Sequence, residues 1–214
     1  MPAVVLTAYV YVAVAGNVLI LVSVAVLRVT GPDVIVEGPG EPVIENFRRV
    51  DDKVYSGAQP DSAAFVDLAA MGVTLVVDLR TGHPGDPNLD DPDALGHLGI
   101  EYLSLPVRDG HAPRPDVVTR FVEAVEGNEG LVYMHCGGGV GRSGSLQAAY
   151  LNTRGLDFSV REQLAIGPPT IEQLFYVWRG DPHDPASNNS IVAALSRSVI
   201  DGPRTVLTWL KGVF

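Results

Sequence analysis

A chain of 214 residues has room for one domain plus extensions. Its 15 basic and 25 acidic residues give a formal net charge of −10, which excludes a broad affinity for nucleic acid, anionic membranes or polyanionic substrates. Hydrophobic residues make up 46% of the chain, and its single cysteine excludes an intrachain disulfide and suits a reducing compartment. The first predicted element is the most apolar. Ala3 to Leu27 is a run of 25 residues without a charge. As a helix it would extend about 37 Å, longer than the ~30 Å hydrocarbon layer requires. A secretory signal has a basic start and a shorter apolar stretch, whereas no Lys or Arg precedes this one. Residues 1–28 are therefore predicted to be a single transmembrane anchor. The nearest basic residues are Arg28, Arg48, Arg49 and Lys53, all after the segment, so the positive-inside rule puts the rest of the chain on the cytoplasmic side.

Residues 29–45 are rich in Gly, Pro and acids and read as a linker. A turn at S-G-A-Q-P-D leads into a helix from Ser62 to Met71, which Gly72 ends. Val73 to Leu79 is a near-continuous apolar run, the pattern of a strand buried on both faces. Thr81 to Asp93 is read as loop. A strand over Gly99–Leu105 and a helix over Asp116–Glu126 follow, the helix with Val117, Val118, Phe121, Val122 and Val125 on one stripe. Leu131 to His135 is a short buried strand, and residues 143–153 form a helix. Two more helices, Ser159–Ile166 and Ile171–Trp178, lie either side of Pro168-Pro169. Alternating helices and buried strands predict an α/β fold with a largely parallel central sheet flanked by helices, over residues 46–180. Residues 181–214 read as a polar linker and an amphipathic helical tail.

The only cysteine stands in L-V-Y-M-H-C-G-G-G-V-G-R-S-G, Leu131 to Gly144. Strand, glycine-rich loop and helix turn a row of backbone N–H groups toward an anion and add the positive end of a helix dipole. A thiol there sits beside N–H groups and the Arg142 guanidinium, surroundings that favour thiolate. Cys136 and an anion cradle of Gly137, Gly138, Gly139, Val140, Gly141 and Arg142 thus coincide. Arg142 offers a planar fork that meets two phosphate oxygens at once, and Ser143 can donate a hydrogen bond to the sulfur.

The segment resembles the cysteine-dependent phosphatases, specifically their dual-specificity-like branch, whose loop has the form H-C-x-x-G-x-x-R-[ST]-G. His135, Cys136, Gly139, Arg142, Ser143 and Gly144 fill every fixed position. The likeness runs from about Val54 to Arg179. It implies a phosphatase that works through a cysteinyl-phosphate, with no metal and no organic cofactor, and the predicted anchor would tether it to a membrane. The same resemblance implies an acid on a loop upstream of the cysteine. Asp109, 27 residues before Cys136 and just ahead of a helix, has that place. Asp116 is better explained as an N-cap or first-turn charge, Asp78 as structural, and Asp86, Asp90, Asp91 and Asp93 as members of a solvated loop. A D-P acid downstream, at Asp181-Pro182 or Asp184-Pro185 as in low-molecular-weight phosphatases, is disfavoured because at least two strands precede the cysteine. His135, at a strand end, is read as a supporting residue that holds the loop backbone, and the resemblance implies that Gln173 orients the hydrolytic water. Since the loop carries no charge but Arg142, the expected substrate is a phosphorylated protein, on tyrosine or on serine/threonine. A lipid monophosphate is the alternative, and a non-catalytic phosphate-binding module is a further one.

Overall fold

The structure, a computed structural model, describes residues 3–35, 42–82 and 90–180. The predicted tail, the two downstream D-P pairs and Asp86 lie outside those residues. Helix α1 (Ala3–Thr30) runs the whole length of the apolar segment and ends at Gly31. Within it, Thr7–Thr30 is 24 residues with a mean hydropathy of 2.5, long and apolar enough to cross a membrane by length and composition. Its last turn meets the domain: Arg28 Nη2 donates to the carbonyl of Ile166 at 2.7 Å and to Asn46 Oδ1 at 3.3 Å.

The domain is built on a five-stranded mixed sheet in the order β1-β2-β5-β3-β4, comprising β1 (Arg48–Arg49), β2 (Val54–Gly57), β3 (Val73–Asp78), β4 (Glu101–Ser104) and β5 (Leu131–His135). Strands β2, β5, β3 and β4 run parallel, and β1 pairs antiparallel on the edge. Register aligns Gly57 and Asp78 with His135, so three strands end side by side where the cysteine loop begins. In a parallel sheet that carboxyl edge is where connecting loops leave room for a ligand.

Helices cover both faces. On one lie α4 (Pro115–Gly127), α5 (Gly141–Thr153), α6 (Val160–Ile166) and α7 (Ile171–Arg179); on the other, α2 (Ser62–Ala70) and α3 (Pro92–His97). The predicted stripe of α4 sends Val117, Val118, Phe121 and Val125 into the larger core, against Tyr150 and Leu146. Each such buried side chain contributes about 1.5–3 kcal/mol. Local chemistry fixes the helix ends. Asp61 caps α2, reciprocal capping boxes start α6 (Ser159/Glu162) and α7 (Thr170/Gln173), and Gly180, with φ 64°, closes α7 in the left-handed conformation.

Three elements depart from the sequence reading. Strands β1 and β2 lie at residues 48–57, where no strand is predicted, and α3 begins at Pro92, inside the stretch read as loop. Asp91 caps α3 and Pro92 takes its first turn, a start signal hidden by the surrounding prolines and acids.

Candidate active site

Cys136 follows the last residue of β5 and is 3% exposed. Its Sγ lies 3.6 Å from Ser143 Oγ. Helix α5 starts at Gly141 without a side-chain cap, leaving the first-turn N–H groups to the pocket. Gly139 has φ +69° and packs on the backbone of Gly57 and Ala58, so neither its conformation nor its space admits a side chain. Arg142 is 5% exposed. Its Nη1 lies 3.5 Å from the carbonyls of Leu79 and Val107, which follow β3 and β4. Asp109 Oδ1 is 3.4 Å from Arg142 Nη2, with the acid half-exposed.

Asp109, Cys136 and Arg142 line one pocket of about 260 Å³, with Gly138, Val140, Gly141 and Gln173 on its walls. Of the residues singled out from sequence, those seven are brought together there, while Gly137 and Gly139 belong to the same loop and Ser143 stands behind the sulfur. A wider cleft of about 480 Å³ between α5, α6 and α7 shares no residue with this pocket and contains neither Cys136 nor Arg142. Asp116 is in the first turn of α4, where it pairs with exposed Arg114 at 2.8 Å.

Gln173 is 2% exposed, not on a polar helix face. Its Oε1 accepts the Thr170 N–H at 2.9 Å, its Nε2 donates to the His111 carbonyl at 3.1 Å, and its amide packs where Gly141 would carry a Cβ. Neighbours of Gln173 also pin the acid loop, a role sequence reasoning missed. Thr170 Oγ1 donates to the Gly110 carbonyl at 2.7 Å, and buried Glu172 accepts the Ala112 N–H at 3.3 Å and faces His111 Nδ1 at 3.4 Å. Gln163, fully buried, holds the Val140 carbonyl at 2.8 Å. The T-x-x-Q capping box was the only local signal for any of these.

Asp90 corrects the sequence reading. It is not a solvated loop residue but is buried against His135, the residue before the cysteine. Its Oδ2 lies 2.8 Å from His135 Nε2, and its Oδ1 lies 2.9 Å from Arg80 Nη2. Arg80 pairs in turn with buried Asp78 at 2.8 Å, and Tyr102 donates to Asp78 Oδ2 at 3.2 Å. The Nδ1 of His135 faces the Cys136 carbonyl at 3.3 Å, so this network reaches the start of the loop. Donor atoms of Asp78, Asp90 and His135 fall within 4.8 Å of one another, a cation-binding arrangement, and Arg80 already supplies a cation there.

Burial alone would raise the Asp78 pKa, but Arg80, with His135, outweighs it and holds the carboxyl below its ordinary value. That stability is complete above the unfolded value of about 3.9 and is lost as pH falls through the depressed folded value. Burial and the Asp78 charge push Tyr102 up to about 12, so its hydroxyl remains a donor at neutral pH. Removing one carboxylate from such a buried network leaves Arg80 under-compensated. Asp90→Leu is accordingly expected to destabilise the fold by about 3–5 kcal/mol, read from urea unfolding monitored by tryptophan fluorescence. A loss within experimental error would mean the network contributes no net stability.

A family model described as "Swiss Army Knife protein, DSP-PTPase phosphatase domain" matches residues 53–179, more than half of the chain. Human dual specificity protein phosphatase CDC14A is 40% identical over 53 residues, 25% of this chain and 9% of that protein. The tyrosine-protein phosphatase cdcA of Emericella nidulans is 31% identical over 102 residues, 46% of this chain and 16% of that protein. The chain thus aligns with only a small part of these curated relatives. Among solved structures, a DUF442 protein from Shewanella putrefaciens CN-32 superposes with a TM-score of 0.55 at 18% identity, covering 74% of this chain and 95% of that one, a likeness of fold.

Proposed function

The chain belongs to the DSP-PTPase phosphatase family, and from that premise we propose that it hydrolyses phosphate monoesters through a cysteinyl-phosphate intermediate. The observation that carries this reading is the meeting of Cys136, Arg142 and Asp109 around one pocket. The Cys136 thiolate attacks phosphorus, an S–P bond forms and the ester P–O bond breaks. Arg142 and the loop N–H groups stabilise the charge spread over the equatorial oxygens. Asp109, protonated in this step, gives its proton to the departing oxygen. The resulting carboxylate then takes a proton from the water that attacks phosphorus. The S–P bond breaks, inorganic phosphate leaves and the thiolate returns, with the Ser143 hydroxyl placed to stabilise it. Asp109 lies 3.4 Å from Arg142, so a phosphate that takes over the guanidinium frees the carboxyl for the leaving group.

The substrate in this reading is a phosphorylated protein, on tyrosine or serine/threonine, since Arg142 is the only basic side chain among the described residues lining the pocket. A phosphate-bearing lipid is the second reading, favoured by α1. With Thr7–Thr30 across a membrane and Arg28 on the domain side, the pocket would stand near the cytoplasmic surface. Turnover by the full chain in vesicles, of a phosphotyrosine peptide against a lipid monophosphate, decides between them. Higher kcat/KM on the peptide is the expected result, and higher kcat/KM on the lipid reverses the assignment.

The acid assignment has its own test. Asp109→Asn is expected to lower kcat by about 10²–10⁴-fold on phenyl phosphates with poor leaving groups. On p-nitrophenyl phosphate, whose leaving group needs less protonation, the loss should be much smaller. Equal losses across a series of leaving groups would remove Asp109 from the acid role.

A further inference from the structure

Beneath the phosphate loop lies a guanidinium that this catalytic scheme does not use. Arg48, on the edge strand β1, is completely buried. Counted in the sequence as a positive charge flanking the anchor, it is unavailable to any membrane surface. Its Nε donates to Gln147 Oε1 at 2.6 Å, and its Nη1 donates to the carbonyls of Gly139 at 2.7 Å and Asn46 at 3.0 Å. Its Nη2 meets no acceptor. Arg80, another buried arginine near the cysteine strand, sits between two carboxylates. Arg48 has only neutral partners among the described residues, and an isolated buried cation is costly unless an anion faces it.

Burial lowers the Arg48 pKa to about 10, and the sulfur of Cys136 acts in the opposite direction. Attraction between charges is mutual, so a cation here also favours negative charge at the sulfur. Geometry adds a second effect. In a trans peptide the C=O and the following N–H point opposite ways. Arg48 draws the Gly139 carbonyl beneath the loop, and Asn46 Nδ2 draws the Gly138 carbonyl at 2.8 Å. The N–H groups of Val140 and Gly139 are thereby turned away from Arg48 and Asn46 respectively.

We propose that Arg48 is a positioning residue of the phosphate site, a buried cation that fixes the loop from beneath through Gly139 and stabilises negative charge on the Cys136 sulfur and the bound phosphate. The proposal rests on the phosphatase reading but is tested without turnover. The full-length chain and its R48K, R48Q and R48M variants are compared, each first checked for cooperative thermal unfolding. The readouts are the Kd of inorganic phosphate by calorimetry and the pH profile of Cys136 alkylation by iodoacetamide. Lys keeps the charge, Gln keeps a donor for Gly139 and Met keeps neither. Neutral variants are expected to bind phosphate about tenfold more weakly and to need a higher pH for half-maximal alkylation, with R48K within about threefold of the parent. Equal losses in R48K and the neutral variants, or no change in any of them, would overturn the proposal. Failure of both neutral variants to fold while R48K folds would assign the cation to the fold and overturn it too. Absence of p-nitrophenyl phosphate turnover by the parent chain, with phosphate binding intact, would instead sink the phosphatase reading.

Discussion

Cys136→Ser is expected to abolish phosphate-ester turnover, by at least about 10⁴-fold in kcat or about 5.5 kcal/mol of barrier, while phosphate binding persists. The reason is the nucleophile itself. Sulfur is intrinsically the stronger nucleophile, whereas a serine hydroxyl in the same place has no general base beside it. Ser143, 3.6 Å away, is itself a hydroxyl, and His135, whose ring nitrogens face Asp90 and the Cys136 carbonyl, points away from that task. The cradle is backbone and Arg142, so it survives the substitution. Initial rates on p-nitrophenyl phosphate and the calorimetric Kd of phosphate, measured on the same preparation, give the two halves of the result. A Cys136→Ser protein that retained turnover would rule out the covalent mechanism. A parent chain that bound phosphopeptide without releasing phosphate would make it a binding module.

What the sequence made legible follows from how local each signal is. The loop could be read because its fixed positions lie within ten consecutive residues, although Asn46, Arg48 and Gln163, distant in sequence, hold its carbonyls. Strand β3 was legible because burial on both faces makes it an unbroken apolar run. Strand β2 was not. Val54–Gly57 is four residues of mixed polarity that become a strand by pairing with Val132–His135, a partner far along the chain. Asp90 was misread for a related reason. In sequence it is one of several acids among prolines, and its burial comes from Arg80 and His135 meeting it at the end of the sheet. Arg48 illustrates the limit most sharply, since one of a pair of arginines near the start of a domain reads as surface charge. Only the return of the cysteine loop over β1 buries it.

Arg142→Lys is the second large effect expected. It removes geometry while keeping charge. The guanidinium stands between the carbonyls of Leu79 and Val107 and the Asp109 carboxylate, a setting matched to several N–H groups diverging in one plane. An ammonium is a compact point charge whose donors cannot span two phosphate oxygens in parallel. Since the equatorial oxygens carry more charge and lie flatter in the transition state than in the ground state, the loss falls mainly on kcat. Removing one such preorganised donor costs about 10²–10³-fold, and R142K is expected to lose at least that much with a smaller change in KM. The 3.4 Å contact with Asp109 adds a further expectation. In a double-mutant cycle, R142K with Asp109→Asn should cost less than the two single losses combined, because a misplaced leaving group gains little from a well-placed acid. Strict additivity would mean that the arginine and the acid act independently, and a kcat within tenfold of the parent in R142K would mean that charge alone, without the fork, suffices at this position.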